Sequence, residues 1–228
     1  MSIKDKYTVT PIKPFETYEW LLKKHYAKRI PSISYAFGLS INGVLSGICT
    51  FGQPPVGLNN SEGICVGMYN IKVIELNRLV IHENLYRNTL SFFVAKCLRL
   101  LPAPLIVVSY ADARQGHNGY IYQSTNWVYT GLPQKSGGKE YYINNGWVHN
   151  KTLATRHGSR SVGLLDNIYK DCKSRTISPK HRYFYFVGCK RMAKKMKSKL
   201  KYKIFPYPKG INKRYDASYK PTIQGTLF

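Results

Sequence analysis

Hydrophobic and polar positions in the first half of the chain follow two different periods. Over 73–81 they alternate, which predicts a strand that turns Glu75 and Arg78 to opposite faces. Over 90–101 apolar residues recur at i, i+3, i+4, i+7, i+8 and i+11, which predicts a helix with one buried face. The apolar run 105–108 predicts a second, buried strand. A strand, a helix and a strand in this order form a βαβ unit, so we expect the two strands to be parallel.

Neighbouring segments extend this unit into a larger sheet. Two apolar stretches, 34–41 and 44–51, flank Asn42-Gly43, the strongest short-range signal for a hairpin. The order of elements predicts an α/β (α+β) fold, with a central mixed sheet flanked by helices. The remaining predicted elements are a helix at 17–29 that turns His25 and Tyr26 inward, a short helix at 120–127, and strands at 128–130 and 180–187.

A change in composition divides the chain near residue 150. The whole chain has 228 residues, enough for one domain with a sizeable buried core. From residue 151 onward acidic residues are scarce, whereas lysines and arginines are frequent. We therefore expect a core over 1–150 and a basic C-terminal extension over 151–228 that packs on the core and contacts nucleic acid.

The charge of the chain is strongly positive. It contains 35 Lys and Arg against 11 Asp and Glu, for a formal net charge of +24, which favours a polyanionic partner, nucleic acid before membrane. Tyrosines lie among the C-terminal lysines, and this combination suits phosphate contact together with base stacking. The expected nucleic-acid contacts are Arg156, Arg160, Lys180, His181, Arg182, Lys194 and Lys195.

The sequence carries no sign of secretion. No apolar run is long enough to span a bilayer, and the first ten residues lack the apolar segment of a signal peptide. The five cysteines are scattered without a C-x-x-C pair, which argues against a disulfide framework or a structural zinc site. We expect a cytoplasmic protein with reduced cysteines and no membrane partner.

Polar side chains gather where the buried strand at 105–108 ends. Asp112, His117 and Tyr122 follow that strand in a glycine-bounded loop and a short helix. Ligands of open α/β sheets bind beyond the carboxyl ends of the strands, so these three residues are candidates for a site. Each also has a simpler interpretation: a turn aspartate, a loop histidine and a core tyrosine.

The start of the helix at 90–101 is a second candidate site. Asn88 or Thr89 can cap this helix, and amides left unpaired beside Arg87 would bind an anion such as a cofactor phosphate. The alternative interpretation is an ordinary capped helix start that binds no anion. The residues expected to bind a cofactor are Arg87, Asn88, Thr89 and Ser91.

The order of elements resembles the GNAT acyltransferase superfamily, in which the segment matching 73–101 holds the pyrophosphate of the acyl donor. The glycine-rich R-x-x-G-x-G/A loop of that superfamily is replaced here by Arg87-Asn88-Thr89-Leu90-Ser91. A closer resemblance is to the Mom family of phage DNA-modification proteins, a divergent GNAT-like group. It rests on the blocks HYAKRIPSISYAFGL, ELNRLVI, RNTLSFFVAKCLRLLP, VVSYADARQGHNGYIYQSTNWVYTG and KHRYFYF, which follow in this order over roughly residues 20–190.

The resemblance to the Mom family implies an activity and a set of site residues. Members of that family convert adenine in duplex DNA to N6-carbamoylmethyladenine, which shields phage DNA from host restriction. By this resemblance, His25 and Tyr26 match a pair implicated in activity and in iron binding. Asp112 and Tyr122 match an essential aspartate and an essential tyrosine. An iron ion held by His25, Tyr26 and Asp112 is therefore one candidate cofactor, and the expected location is the cytoplasm of the infected bacterial host.

Transfer of a group to adenine N6 requires a base. The lone pair of N6 is delocalised into the ring, so a proton must leave as the new bond forms, and the adenine must first flip out of the duplex. We expect Asp112 to accept that proton, and Tyr122 to orient the adenine or protonate the leaving group. His25 and Tyr26 would then bind the donor. Two donors are left open: an activated glycine such as glycyl-tRNA, and an acyl-CoA.

Two other functions are left open by the sequence. One is a GNAT enzyme that transfers an acyl group from acyl-CoA to a small-molecule or protein amine. The other is a nucleic-acid-binding protein without catalytic activity. The expected partners are double-stranded DNA and, as the carrier of the donor, tRNA; a homodimer is an open alternative.

Overall fold

A computed structural model of the protein describes residues 2–113, 116–133, 138–158 and 162–210. The described chain forms two sheets. The main sheet has seven strands, in spatial order β1 (Thr8–Pro11), β2 (Tyr35–Ile41), β3 (Val44–Gly52), β4 (Lys72–Ile81), β5 (Leu105–Ala111), β10 (His181–Val187) and β6 (Val128–Tyr129). The smaller sheet has three, in the order β8 (Gly146–His149), β7 (Gly138–Ile143) and β9 (Ser174–Ile177).

Within the described residues, these strands are accompanied by six α-helices and three short helical turns. Two of the turns are 3₁₀ segments, Pro14–Thr17 and Val56–Leu58, and the third is a π-helix, Trp20–Lys24. The α-helices are α1 (Ile3–Lys6), α2 (Thr89–Leu100), α3 (Tyr120–Ser124), α4 (Asn150–Arg156), α5 (Val162–Ile168) and α6 (Lys190–Ser198).

The main sheet splits between β4 and β5. These two strands are parallel, as the βαβ unit predicts, but they pair only from Lys72↔Leu105 to Glu75↔Val108. Beyond that point β4 stays paired with β3 as far as Ile81, while β5 stays paired with β10 as far as Ala111. The carboxyl halves of β4 and β5 therefore diverge, and they leave a wedge-shaped opening in the sheet.

One face of the main sheet is covered by α2 and α3. Phe93, Val94 and Cys97 of α2 are fully buried against the sheet, together with Trp127 after α3. Burial of each such side chain contributes about 1.5–3 kcal/mol. The helix predicted from the apolar spacing over 90–101 is confirmed, and so is the predicted fold class of a mixed sheet flanked by helices.

The opposite face is covered in two places. Met196 of α6 packs with Val73 and Phe184 on one side of the wedge. Trp20 and Leu21 of the π-helix pack with the sheet on the other side. Glu75 lies between these two covered regions, on the uncovered part of this face.

A β-bulge in β4 changes the predicted faces of that strand. The register with β3 shifts between Thr50 and Phe51, so that Thr50 lies opposite Arg78 whereas Phe51 lies opposite Leu76. Leu76 and Leu79 consequently pack into the same core cluster, although they are three positions apart. Because one extra residue reverses the alternation, Glu75 and Arg78 point to the same face, and the prediction of opposite faces is wrong.

The predicted helix at 17–29 is also shorter and less regular than expected. It is replaced by the 3₁₀ segment and the π-helix, which ends at Lys24. The His25 amide donates to the carbonyl of Trp20 at 2.9 Å, the i→i−5 bond of a π-turn, and His25 itself is extended. A turn with Lys28 at φ 40° then leads the chain towards Pro31.

The smaller sheet separates two environments. On one face, Tyr141 packs with Leu153 of α4 and Leu165 of α5. The alternation of β7 and β8 turns Tyr142 and Trp147 to the other face. This unit contains the predicted boundary at residue 150, which falls at the first turn of α4, while β10 beyond it lies inside the main sheet. Both sides of residue 150 thus contribute strands to the main sheet.

Two negative findings apply to the part of the chain that the structure describes. No helix there combines the length and the apolar character needed to cross a bilayer. The five cysteines are all free, and Cys49, Cys65 and Cys97 are buried.

Candidate functional site

A cleft of about 1750 Å³ opens at the wedge between β4 and β5. Its walls come from the carboxyl ends of these strands, the start of α2, the segment after the π-helix, and the open side of the smaller sheet. It brings together every residue that the sequence singled out for catalysis or cofactor binding: His25, Tyr26, Asp112, Tyr122, Arg87, Asn88, Thr89 and Ser91.

His25 and Tyr26 form a stacked pair at one wall of the cleft. Their ring centroids are 4.4 Å apart at 29°, and His25 is buried whereas Tyr26 is largely exposed. The Nδ1 atom of His25 accepts the Ala27 amide at 3.0 Å, so the neutral ring carries its proton on Nε2. Burial, followed by the charge of Arg78, lowers the pKa of His25 to about 3. His25 is therefore neutral at physiological pH.

Asp112 follows β5 directly and is buried in an ion pair. Its Oδ2 lies 2.9 Å from Nζ of Lys180, the residue that precedes β10. The backbone carbonyl of Asp112 accepts the His117 amide at 3.2 Å. Burial lowers the pKa of His117, while the charge of Asp112 acts in the opposite direction. The negative charge of Asp112 is thus balanced within the cleft by a neighbouring cation.

Tyr122 takes part in a short relay across the wedge. Ser109 Oγ lies 2.7 Å from the Leu76 carbonyl oxygen and 2.7 Å from the Tyr122 hydroxyl. Because a carbonyl can only accept, the single Ser109 proton goes to Leu76, and Tyr122 donates to Ser109. Burial raises the pKa of the Tyr122 hydroxyl, which keeps it protonated as this order requires. The relay bridges β5 and β4 at the point where they separate.

Glu75 is a site residue that the sequence did not reveal. It is the last residue of β4 that pairs with β5, and it lines the cleft. Burial raises the pKa of Glu75 to about 7, against the opposing charges of Arg78, Lys151, Lys180 and Arg29. A carboxyl group of this kind is partly ionised at neutral pH. The one signal in the sequence was an acidic residue within an apolar strand of a chain poor in acids.

The start of α2 forms another part of the cleft wall. Asn88 has a left-handed backbone at φ 67° and makes no side-chain cap. The hydroxyl of Thr89 donates to the Tyr86 carbonyl at 2.7 Å, and that of Ser91 donates to Asn88 at 3.0 Å. The two hydroxyls are therefore used within the helix start, whereas Arg87 and Asn88 present exposed side chains at the cleft.

The residues proposed for iron do not form a suitable ligand set. In the described ranges, no three or more His, Cys, Asp and Glu side chains gather in a way that could hold a metal ion. Asp112 is paired with the Lys180 ammonium, which opposes binding of a second cation at the same carboxylate. His25 and Tyr26 stack ring on ring. The chemistry proposed below uses no metal step.

The predicted nucleic-acid contacts lie in different surroundings. Lys180 lies in the cleft, and His181 Nδ1 bonds the Tyr129 hydroxyl at 2.7 Å. The Arg182 guanidinium lies 3.8 Å from the Tyr202 ring centroid and donates through Nε to Thr130 at 2.9 Å. Arg160 lies outside the described residues. Exposed side chains remain at Arg156, Lys194 and Lys195.

The model of the Mom protein family matches residues 6–209. The chain is 32% identical over 196 residues to the methylcarbamoylase Mom of Escherichia phage Mu, which covers 82% of this chain and 77% of that protein.

Two solved structures show a distant similarity to this chain. One is a GNAT-family acetyltransferase from Bacillus cereus ATCC 10987, at 8% identity and a TM-score of 0.41, covering 79% of this chain and 96% of that chain. The other is an N-acetyltransferase from Staphylococcus aureus Mu50, at 13% identity and a TM-score of 0.40, covering 80% and 99%.

Proposed function

Because this chain belongs to the Mom protein family, we propose that it is a transferase that modifies adenine in DNA. The modification would be the transfer of a carbamoylmethyl group to N6, in line with the name of its relative from phage Mu. In a phage-infected bacterium such a modification would protect the DNA from restriction. The strongest support for a reaction at this site is the cleft itself, where the carboxyl groups of Glu75 and Asp112 lie among at least four cationic side chains.

The cationic walls of the cleft suit a nucleic-acid substrate. Arg29, Arg78, Lys151 and Lys180 all lie close enough to Glu75 to influence its ionisation. Phosphates of a DNA strand would neutralise these charges and release counterions as they bind. The adenine would enter the cleft after leaving the duplex, since N6 is otherwise engaged in base pairing.

We assign the proton transfer to Glu75 and a supporting role to Asp112. With an activated glycine as the donor, N6 attacks the glycyl carbonyl carbon, the bond from that carbon to the carrier oxygen breaks, and the carrier oxygen takes a proton as it leaves. The first product is then N6-glycyladenine, and the isomeric carbamoylmethyl group would form from it by a later rearrangement. The N6 proton passes to the Glu75 carboxylate, whose pKa is close to neutral pH as general base catalysis requires. The sequence-based hypothesis gave this proton to Asp112. The ion pair with Lys180 favours Glu75 instead, and it leaves Asp112 to hold Lys180 in the cleft.

The donor would bind between the His25–Tyr26 pair and the start of α2. Tyr26 would contact the donor from the cleft wall, and the neutral His25 ring stacks against the Tyr26 ring. Arg87 would contact a phosphate, which both proposed donors carry, glycyl-tRNA and acyl-CoA alike. The replacement of the glycine-rich loop by a helix start with two internally bonded hydroxyls favours the activated glycine over acyl-CoA.

Mass spectrometry of nucleosides from cells that express the chain tests the function directly. We expect a carbamoylmethylated deoxyadenosine with the wild-type protein and none with an empty vector. Unmodified deoxyadenosine from a well-expressed protein would contradict the function, and acylated protein or small-molecule amines would point to the alternative GNAT activity.

The assignment of the base predicts a pH profile. With Glu75 as the base, kcat/KM rises as pH passes through about 7, and Glu75→Gln loses that rise with a decrease of about 10²–10⁴-fold. In Asp112→Asn, the residual kcat/KM should still rise with pH, but the midpoint of the rise should move to lower pH. The Lys180 charge is then no longer balanced by Asp112, so it lowers the pKa of Glu75 further. A rise that survives in Glu75→Gln and disappears in Asp112→Asn would return the role of base to Asp112.

A further inference from the structure

The uncovered face of the smaller sheet carries an ordered aromatic cluster. Tyr142 and Trp147 are cross-strand partners, with ring centroids 5.3 Å apart at 62°. The guanidinium of Arg175, on β9, lies 4.1 Å from the Trp147 ring centroid. Trp147 remains 39% exposed and lines the same cleft as Glu75.

The position of Arg175 is fixed by an ion pair with Glu140. Its Nε and Nη2 both lie 2.8 Å from Oε2 of Glu140, a carboxylate that is only 6% exposed. A guanidinium held in this way cannot rotate freely, so it keeps its plane against the indole. The cluster is therefore ordered before any ligand arrives, which lowers the entropy cost of binding.

The surroundings of Trp147 select a ligand with negative charge. His149, on the same strand, has its pKa lowered to about 4 by burial and by the charges of Lys151 and Arg29. An aromatic wall beside several cations suits a nucleotide, whose base stacks while its phosphate meets the cations. A lipid tail or an apolar peptide would leave these charges without a counterpart.

We propose that Trp147, held by Arg175 and Tyr142, is the platform on which an unpaired adenine of the DNA substrate stacks. This rests on the proposed function, since only a base that has left the duplex can reach the cleft. The platform would compensate for the stacking that the adenine loses when it leaves the double helix. It would also hold N6 within the cleft that contains Glu75.

Binding of two DNA probes to the full chain tests the platform. One probe is a short duplex with a single unpaired adenine, and the other is the fully paired duplex of the same sequence. Trp147→Ala should weaken binding of the first by about 5- to 150-fold, as expected for loss of one base–aromatic stack, and binding of the second by less than about twofold. Phe15→Ala removes another exposed ring, one that does not line the cleft, and should change neither.

Intrinsic tryptophan fluorescence gives a second measurement. It uses the conservative variant Trp147→Phe, so it remains informative if Trp147→Ala folds poorly. The sequence has three tryptophans, and Trp20 and Trp127 are buried at 7% and 1% exposure. The unpaired-adenine probe should therefore quench mainly Trp147, and the quenching should disappear in Trp147→Phe while most of the affinity remains. Quenching that persists in Trp147→Phe, or equal loss of affinity for both probes in Trp147→Ala, would overturn the platform.

The outcomes also separate the platform from the proposed function. Modified deoxyadenosine in cells together with unchanged probe binding by Trp147→Ala would reject the platform and leave the enzyme intact. The opposite result is that Trp147→Ala selectively loses affinity for the unpaired-adenine probe while cells that express the wild-type protein contain no modified deoxyadenosine. That result would retain the platform as a nucleic-acid binding site and reject the proposed reaction.

Discussion

At the scale of single residues, the hydroxyl of Tyr122 belongs to the core and to the cleft at the same time. Its ring packs against Trp127 and Tyr183 at centroid distances of 5.0 Å, while its hydroxyl donates to Ser109 across the wedge. The resemblance to the Mom family predicts an essential tyrosine here. The relay gives a physical reason for such a role: it fixes the distance between β4 and β5 at the base of the cleft.

We therefore expect both Tyr122→Phe and Ser109→Ala to loosen this junction. Tyr122→Phe removes one hydrogen bond and should lower the free energy of unfolding by about 0.5–1.5 kcal/mol, whereas Ser109→Ala removes both bonds of the relay, leaves the Tyr122 hydroxyl unsatisfied and should cost about 1–3 kcal/mol. Activity should fall by a similar factor in both, because both loosen the same junction. Parallel measurements of thermal unfolding and DNA modification decide the point. Full activity in Ser109→Ala beside an inactive Tyr122→Phe would mean that the hydroxyl acts on the substrate directly.

The residues of the site differ in how far the sequence could predict them. Asp112 and Tyr122 could be predicted because they follow a recognisable buried strand. Glu75 could not, because its pKa is raised by burial in the folded chain, against the charges of Arg78 on its own strand and of Arg29, Lys151 and Lys180 from three other segments. No local pattern carries that information.

At the scale of elements, the βαβ unit was the most predictable part and the irregular pieces were the least. The periodicity of α2 and the Asn42-Gly43 turn follow from local rules. The bulge in β4 and the π-helix do not, because each arises from one extra residue that tertiary packing accommodates. The smaller sheet was not predicted: β7 and β8 lie before residue 150, where no strand was assigned, and β9 lies in the segment that was interpreted as a basic extension.

The two ends of α2 offer a matched pair of charge deletions. Arg87 is exposed at the cleft, and Arg99 is exposed in the last turn, about 18 Å away along the helix. Arg87→Ala should raise the apparent KM for the donor severalfold and leave DNA affinity unchanged, while Arg99→Ala should change neither. Steady-state kinetics against donor and a DNA titration provide the measurement. Weaker DNA binding by Arg87→Ala alone would reassign the start of α2 to the nucleic-acid surface.

At the scale of the whole molecule, the positive charge is unevenly arranged. Helix α6 packs on the sheet through Met192 and Met196 and exposes five cations on its outer side. These are Lys190, Arg191, Lys194, Lys195 and Lys197. Arg182, by contrast, lies against Tyr202, which explains why composition alone does not locate a DNA surface.

We predict that α6 holds DNA through its phosphates. Lys194→Ala with Lys195→Ala should weaken binding of all sequences alike and lower the slope of log affinity against log salt by about 1.8, or about 0.9 per lost contact. Base preference should be unchanged, since phosphate contacts position a protein without reading sequence. The matched control, Lys4→Ala with Lys13→Ala, removes two exposed lysines near β1, at the far edge of the main sheet. Equal slopes in the two double variants would exclude α6 from the DNA surface.

The position of β10 has a consequence for how the protein is made. This strand pairs with β5 along its whole length, although it is synthesised long after β5. Until Val187 has left the ribosome, the nascent chain exposes an unpaired strand edge, which favours chaperone binding and misassembly. Asp112 also lacks its Lys180 partner until then. The cleft therefore comes into being only after β10 has been synthesised.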